Sequence, residues 1–166
     1  MSKTQHAIEE IERLSDQLMN QATGLSEAVL NWKPSEEAWS VMEILCHVEE
    51  AVPYWLKELE CTVKSPGTEW GRGLQDEARL AAVASAGQRE LADVMHGIVQ
   101  GKQMAKEVLG SVRDEDLAIE ASSRNPRFGI KPMAFIVSHL LIEHLQKHLN
   151  QIQRNLQQYE QVNQSM

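Results

Sequence analysis

The apolar positions of this chain fall into four runs at helical spacing, with turn-forming residues between them. In the first, Ile8, Ile11, Leu14, Leu18 and Leu25 recur at intervals of three, four and seven, the spacing that lines one face of an α-helix. It predicts a helix over residues 4–25, ended near Gly24. The stretch LSEAVLNWKPSEEAWS comes next, and Pro34 pushes Lys33 out of helical geometry. A connector with tryptophan anchors is expected there. Ser40 then opens a second helix, with Glu43 completing an S-x-x-E capping box. Its stripe of Val41, Ile44, Leu45, Val48, Val52, Trp55, Leu56 and Leu59 runs to an end near Cys61, and Pro53 predicts a kink or local break.

TVKSPGTEWGRGLQ, with one Pro and three Gly, reads as a long loop. Leu80, Val83, Leu91, Val94, Met95, Ile98, Met104 and Val108 mark a third helix over 76–109, bent near Gly87 or Gly97. Asn125-Pro126 and Gly129 place a second long loop over 110–131, and Pro132 suits the first turn of a final helix running from 133 to about 156. The glutamine-rich tail after about 157 is expected to fray. No internal repeat and no hairpin signal occurs. Four apolar stripes joined by short and long connections predict an all-α four-helix bundle, a single domain over 1–166.

Composition narrows the partners. With 42% hydrophobic and 24% charged residues, the chain belongs with folded globular proteins. A formal net charge of −8 argues against nucleic acid, because affinity for phosphates comes from Lys and Arg; an anionic membrane surface is disfavoured for the same reason. Cys46 and Cys61 show no CxxC spacing, so neither a zinc cluster nor a disulfide framework is indicated. The N-terminal segment is polar and amphipathic, and no run of about 18 apolar residues occurs. A cytoplasmic protein is expected.

The candidate chemistry lies in SHLLIEHLQKHLNQI. His144 and His148 stand four apart, which puts both imidazoles on one helical face and is how a helix offers two ligands to a metal. His47 lies on the stripe of Ile44, Val48 and Ala51. Taken alone it reads as a core histidine satisfied by a carbonyl. If helices two and four are neighbours, it completes a three-imidazole set with an open position. His139 lies five residues before His144, about 140° away at 3.6 residues per turn, and so points off the ligand face.

NWKPSEEAWSVMEILCHVEEA, with its Trp, its Pro, the Trp39-Ser40 helix start and His47 seven residues after that Ser, resembles the first signature of the DinB/YfiT-like metalloenzymes. The second signature of that family, His-x-x-x-His followed by Gln on a C-terminal helix, is matched by His144, His148 and Gln151. Asn150 stands where Gly is frequent, and Lys147 where a further His is often found; neither change removes a ligand. The resemblance implies an up-down-down-up bundle in which His47, His144 and His148 hold zinc or nickel. It also implies a homodimer, and an enzyme that transfers a bacterial low-molecular-weight thiol to small electrophilic substrates. The alternatives are a metal-dependent hydrolase and a non-catalytic, metal-stabilised dimerisation or stress-response module.

Other groups are candidates by position. Glu50, three residues after His47, is the best-placed acid or base, against the plain reading of a solvated helix charge. Tyr54, two turns after His47, is a candidate for hydrogen-bonding a substrate. Trp39 is placed to line a pocket, and Arg127, with Arg124 beside it, to hold an anionic thiol. His6 and His96 have no partner at suggestive spacing, and Met95 and Met104 read as packing.

Overall fold

Serine side chains start the first helices of the chain. In the computed structural model, which describes residues 1–164, Ser2 Oγ accepts from the backbone N–H of Gln5 at 3.0 Å and opens α1 (Lys3–Ala22). Gly24, at a φ of 82°, supplies the left-handed turn just past its end. A short α2 (Glu27–Asn31), capped by Ser26, occupies part of the expected connector. The predicted capping box is formed: Ser40 Oγ accepts from Glu43 N at 3.1 Å while Glu43 Oε1 accepts from Ser40 N at 2.9 Å. From it α3 (Val41–Lys64) runs without interruption through Pro53. Tertiary packing here outweighs the one hydrogen bond that proline removes.

The expected third helix is two. α4 (Glu77–Ala84) and a 3-10 turn (Ala86–Gln88) precede α5 (Leu91–Ser111), so the break falls at Gly87. α5 passes through Gly97 unbroken, and there the missing side chain makes room for the Glu49 carboxylate on α3. After a second 3-10 turn (Asp114–Ala118), β1 (Glu120–Ser122) and β2 (Ile130–Pro132) form an antiparallel ribbon with Ala121 opposite Lys131. Strands of three residues are too short to show alternation, and their long connection lacks a tight-turn signature; the sequence therefore carried no hairpin signal. α6 (Met133–Phe135), a π-helical segment (Ile136–Glu143) and α7 (His144–Gln164) follow one another as a single rod. That rod continues past residue 157, where fraying was expected. Tyr159 meets Trp32 edge to face at 5.5 Å, which ties the tail to the connector; Ser165 and Met166 lie outside the described residues.

α1, α3, α5 and the last rod form the up-down-down-up four-helix bundle. α3 packs on α5 and α7, and α1 packs on the same two helices, closing a ring around Ile11, Leu18, Leu45, Leu56, Leu109 and Leu141, all fully buried. Running α3 and α5 in parallel requires a long crossover, and α4 rides on it. Trp70, also on that crossover, is fully buried and donates through Nε1 to the Ala121 carbonyl at 2.9 Å. The crossover is thereby fastened to the β-ribbon, and Trp55 of α3 meets the Trp70 ring edge to face at 6.3 Å. Among the described residues, no helix is long and apolar enough to cross a membrane.

Candidate metal centre

His47 is brought inward by the capped start of α3, and His144 and His148 by the first turns of α7. Their ligand atoms all lie within 4.8 Å of one another. Nε2 of His144 is 3.1 Å from Nε2 of His47 and 2.9 Å from Nε2 of His148. Two nitrogens bound to a tetrahedral ion at about 2.0–2.1 Å stand roughly 3.3 Å apart, so these spacings are close to those of a ligand set. His47 and His148 are buried, and His144 half-buried.

The protonation of the set is arranged for lone pairs to point inward. Gln151 Oε1 lies 2.8 Å from Nδ1 of His148; a carbonyl oxygen only accepts, so Nδ1 carries the proton and Nε2 is left bare. Burial is the first cause holding all three imidazoles neutral; the charge of His148 comes next for His47 and His144, while for His148 the Gln151 hydrogen bond opposes the shift and Lys147 and Arg79 add to it, so that His47 is lowered to about 3, His144 to about 2 and His148 to about 4. Nδ1 of His47 is buried with no hydrogen-bond partner, which costs about 1–3 kcal/mol by the general rule for orphaned polar groups. Neutral, nitrogen-only and converging, the donor set fits a divalent ion of the borderline class.

Trp39 closes one side. Its ring lies 6.0 Å from that of His148, nearly parallel, and 5.0 Å from that of His47, and the Asn155 side chain donates to its carbonyl at 2.8 Å. Above the imidazoles is a cavity of about 410 Å³, within the usual range for small-molecule sites. Trp39 and Arg127 are among the residues that line it.

Glu50 and Tyr54 do not line it. Both Glu50 oxygens are taken by Arg72, at 2.7 and 2.5 Å, and the Tyr54 hydroxyl donates to Glu58 Oε1 at 2.9 Å while its ring lies under the Arg72 guanidinium. Burial and the hydrogen bond to Glu58 push the Tyr54 phenol well above its ordinary range. The expected acid and hydrogen-bonding roles are therefore corrected: the same helical face carries these residues, but their partners turn them toward the crossover. Arg124 is engaged likewise, by Glu58 at 2.6 Å.

The cavity also takes residues that no sequence pattern singled out. Arg72 and Arg79 arrive on the crossover and α4, which no local pattern places over α7. His139 lines the cavity as well, stacked on Phe135 at 4.9 Å. The 140° offset assumed an α-helix. In a π-helical segment hydrogen bonds join residues five apart, which brings His139 nearer the face of His144. Gln151 is the exception, since the His-x-x-x-His…Gln signature marked it.

A family model described as the DinB superfamily matches residues 9–152. Among solved structures, the chain is similar to YfiT from Bacillus subtilis, described as a probable metal-dependent hydrolase with an unusual four-helix bundle topology. The TM-score is 0.82 at 11% identity, over 96% of this chain and 90% of that one. It is similar to a mycothiol-dependent maleylpyruvate isomerase with a TM-score of 0.69 at 12% identity, over 90% of this chain but only 60% of that one. An uncharacterized protein from Clostridium difficile 630 gives 0.70 at 12% identity, over 93% and 95% of the two chains. At these identities the likenesses describe the fold. Among proteins of curated function none matches the sequence.

Proposed function

This chain belongs to the DinB superfamily, and from that premise and the convergence of its three neutral imidazoles we propose that it is a metal-dependent enzyme. His47, His144 and His148 hold one divalent ion, zinc or nickel. The reaction is transfer of a low-molecular-weight thiol to a small electrophile. The observation that carries the metal reading is the set of three converging Nε2 atoms, on two buried imidazoles and one half-buried one, that line an enterable cavity. A divalent ion bound there lowers the pKa of a water or thiol that reaches it.

The residues of the chain supply the rest. Gln151 fixes the tautomer and orientation of His148, and such partners are worth about 10–100-fold in metal affinity. Trp39 shields the imidazoles from water. Arg127 and Lys147 line the route by which a polar substrate enters. Among the described residues Glu37 is the one carboxylate lining the cavity, and it is exposed. Thiol transfer makes little demand on a protein base, because the ion itself favours the thiolate; activating water for hydrolysis gains more from one. Hydrolysis is the second reading, supported by the likeness to the protein described as a probable metal-dependent hydrolase.

The test is a conjugation assay with metal-loaded protein, an electrophile such as monobromobimane, and bacterial low-molecular-weight thiols in turn. Thiol transfer is expected to run at least ~10-fold above the protein-free rate and to vanish in His144→Ala. Conjugation no faster than without protein, together with cleavage of activated esters or amides, moves the reading to hydrolysis.

A further inference from the structure

Acidic residues outnumber basic ones 24 to 16 in this chain, so an arginine has many carboxylates to find. Arg13, Arg72, Arg89, Arg113 and Arg124 each pair with one. Among the described residues Arg79, Arg127 and Arg154 make no ion pair, and the first two line the cavity above the three imidazoles together with Lys147, which makes none there either. Facing these three cations in the lining is a single carboxylate, the exposed Glu37, which is in no ion pair either.

Arg79 is the most constrained of the set. It is half-buried on the first turn of α4, and Nη1 donates to the Leu74 carbonyl at 3.0 Å. Its guanidinium carbon lies 5.7 Å from the ring centroid of Trp39, the indole that also stacks on His148. A guanidinium has five N–H donors, and most of those on Arg79 are without a protein acceptor. Burial, and then the neighbouring Arg72, hold it below the ordinary arginine range. Glu50 and Asp76 are near enough to offset part of this, but both are engaged by Arg72 and neither makes an ion pair with Arg79; a cation kept partly desolvated on those terms is costly unless an anion from outside completes it.

We propose that Arg79, with Arg127 and Lys147, forms an oxyanion-binding subsite beside the three-imidazole centre, and that the molecule admitted to the cavity carries a carboxylate or phosphate group. The planar fork of Arg79 matches either group, while the reacting end of the ligand faces His47, His144 and His148. This rests on the reading of the cavity as the substrate site, but the subsite can be tested without any reaction and without a metal.

The experiment is isothermal titration calorimetry of the full chain, as purified and after removal of divalent metal, with succinate, inorganic phosphate and neutral succinamide. Wild type is expected to bind succinate or phosphate and not succinamide, in both metal states. The tighter of the two anions then says whether carboxylate or phosphoryl is the preferred group. Arg79→Gln is expected to lose roughly tenfold or more, the loss of a charge-assisted pair; Arg127→Gln is expected to lose less, and Arg154→Gln nothing. Arg79 is half-buried on α4 and Arg127 lies exposed on the turn between β1 and β2, and circular dichroism checks that each variant is native. The proposal is overturned if Arg79→Gln binds as well as wild type, if neither anion binds, or if binding appears only with metal present, since the anion would then be a metal ligand. Failure of the metal centre is read separately, from the metal content of His144→Ala, and leaves the metal-free anion titration standing.

Discussion

Glu50, Tyr54 and Glu58 follow His47 along α3, yet the two neighbourhoods are built on opposite terms. Around Glu50 the polar side chains are paired with one another: Arg72 closes on both carboxylate oxygens and reaches Asp76 at 3.2 Å, the Tyr54 hydroxyl donates a hydrogen bond to Glu58, and Glu58 also accepts from Arg124 and from the Gly71 N–H at 2.8 Å. Around His47 the groups meet one another instead. Three imidazoles crowd together with no carboxylate among them, and one nitrogen is buried without a partner. A saturated network of the first kind fastens the crossover to the bundle. An unsaturated one of the second kind is stabilised only by something it has yet to bind, which is why we assign function to His47 and structure to Glu50.

Acid separates the two regions most strongly. Imidazoles of the unfolded chain take up protons near the ordinary value of about 6.5, whereas the folded ones resist until about 3, 2 and 4. Between those limits the unfolded state binds more protons, so this contribution is complete above pH ~6.5 and is lost as the pH falls. Urea unfolding of metal-free protein is expected to show stability level above neutrality and declining between pH ~6.5 and ~4.5, by at most about 1.4 kcal/mol per pH unit for each imidazole. His47→Gln should flatten the slope. An unchanged slope would mean that the imidazoles are already hydrated and the centre is not a buried one.

Removing Glu50 probes the other side. Arg72 is 7% exposed and Glu50 23% exposed at the side chain, so Glu50→Ala leaves a largely buried cation with only its weaker partner, Asp76 at 3.2 Å. The expected cost is about 2–3 kcal/mol in urea unfolding, at or below the low end of the ~3–5 kcal/mol for broken buried pairs, because Glu50 is partly solvated and Asp76 remains. Metal content should stay at the wild-type level. Loss of metal with stability intact would show instead that Glu50 serves the centre.

Much of this contrast was legible in the chain. The four stripes, the Ser40–Glu43 box, the Pro132 start and the His-x-x-x-His pair are local patterns, and local patterns survive into the fold. His47 could be joined to them because the tryptophan-proline signature lies beside it. What was illegible depends on partners distant in sequence. Nothing near Glu50 announces Arg72 on the crossover, and nothing near Arg79 announces the cavity it overlooks. The π-helical segment is a third kind of miss: its residues Ile136–Glu143 read as ordinary helix, and the changed hydrogen-bond register that turns His139 toward the cavity has no periodic signature over so few residues.

The central claim is that His47, His144 and His148 hold a metal, and elemental analysis of untagged protein tests it most directly. After loading with zinc or nickel and exhaustive dialysis, wild type is expected to keep about one ion per chain, as a three-histidine site does. His47→Ala and His144→Ala should each keep less than about a tenth of that, since a buried site with one ligand missing has lost much of its binding energy. Variants that retain as much metal as wild type would contradict the account, and the ion would then be sought elsewhere on the chain.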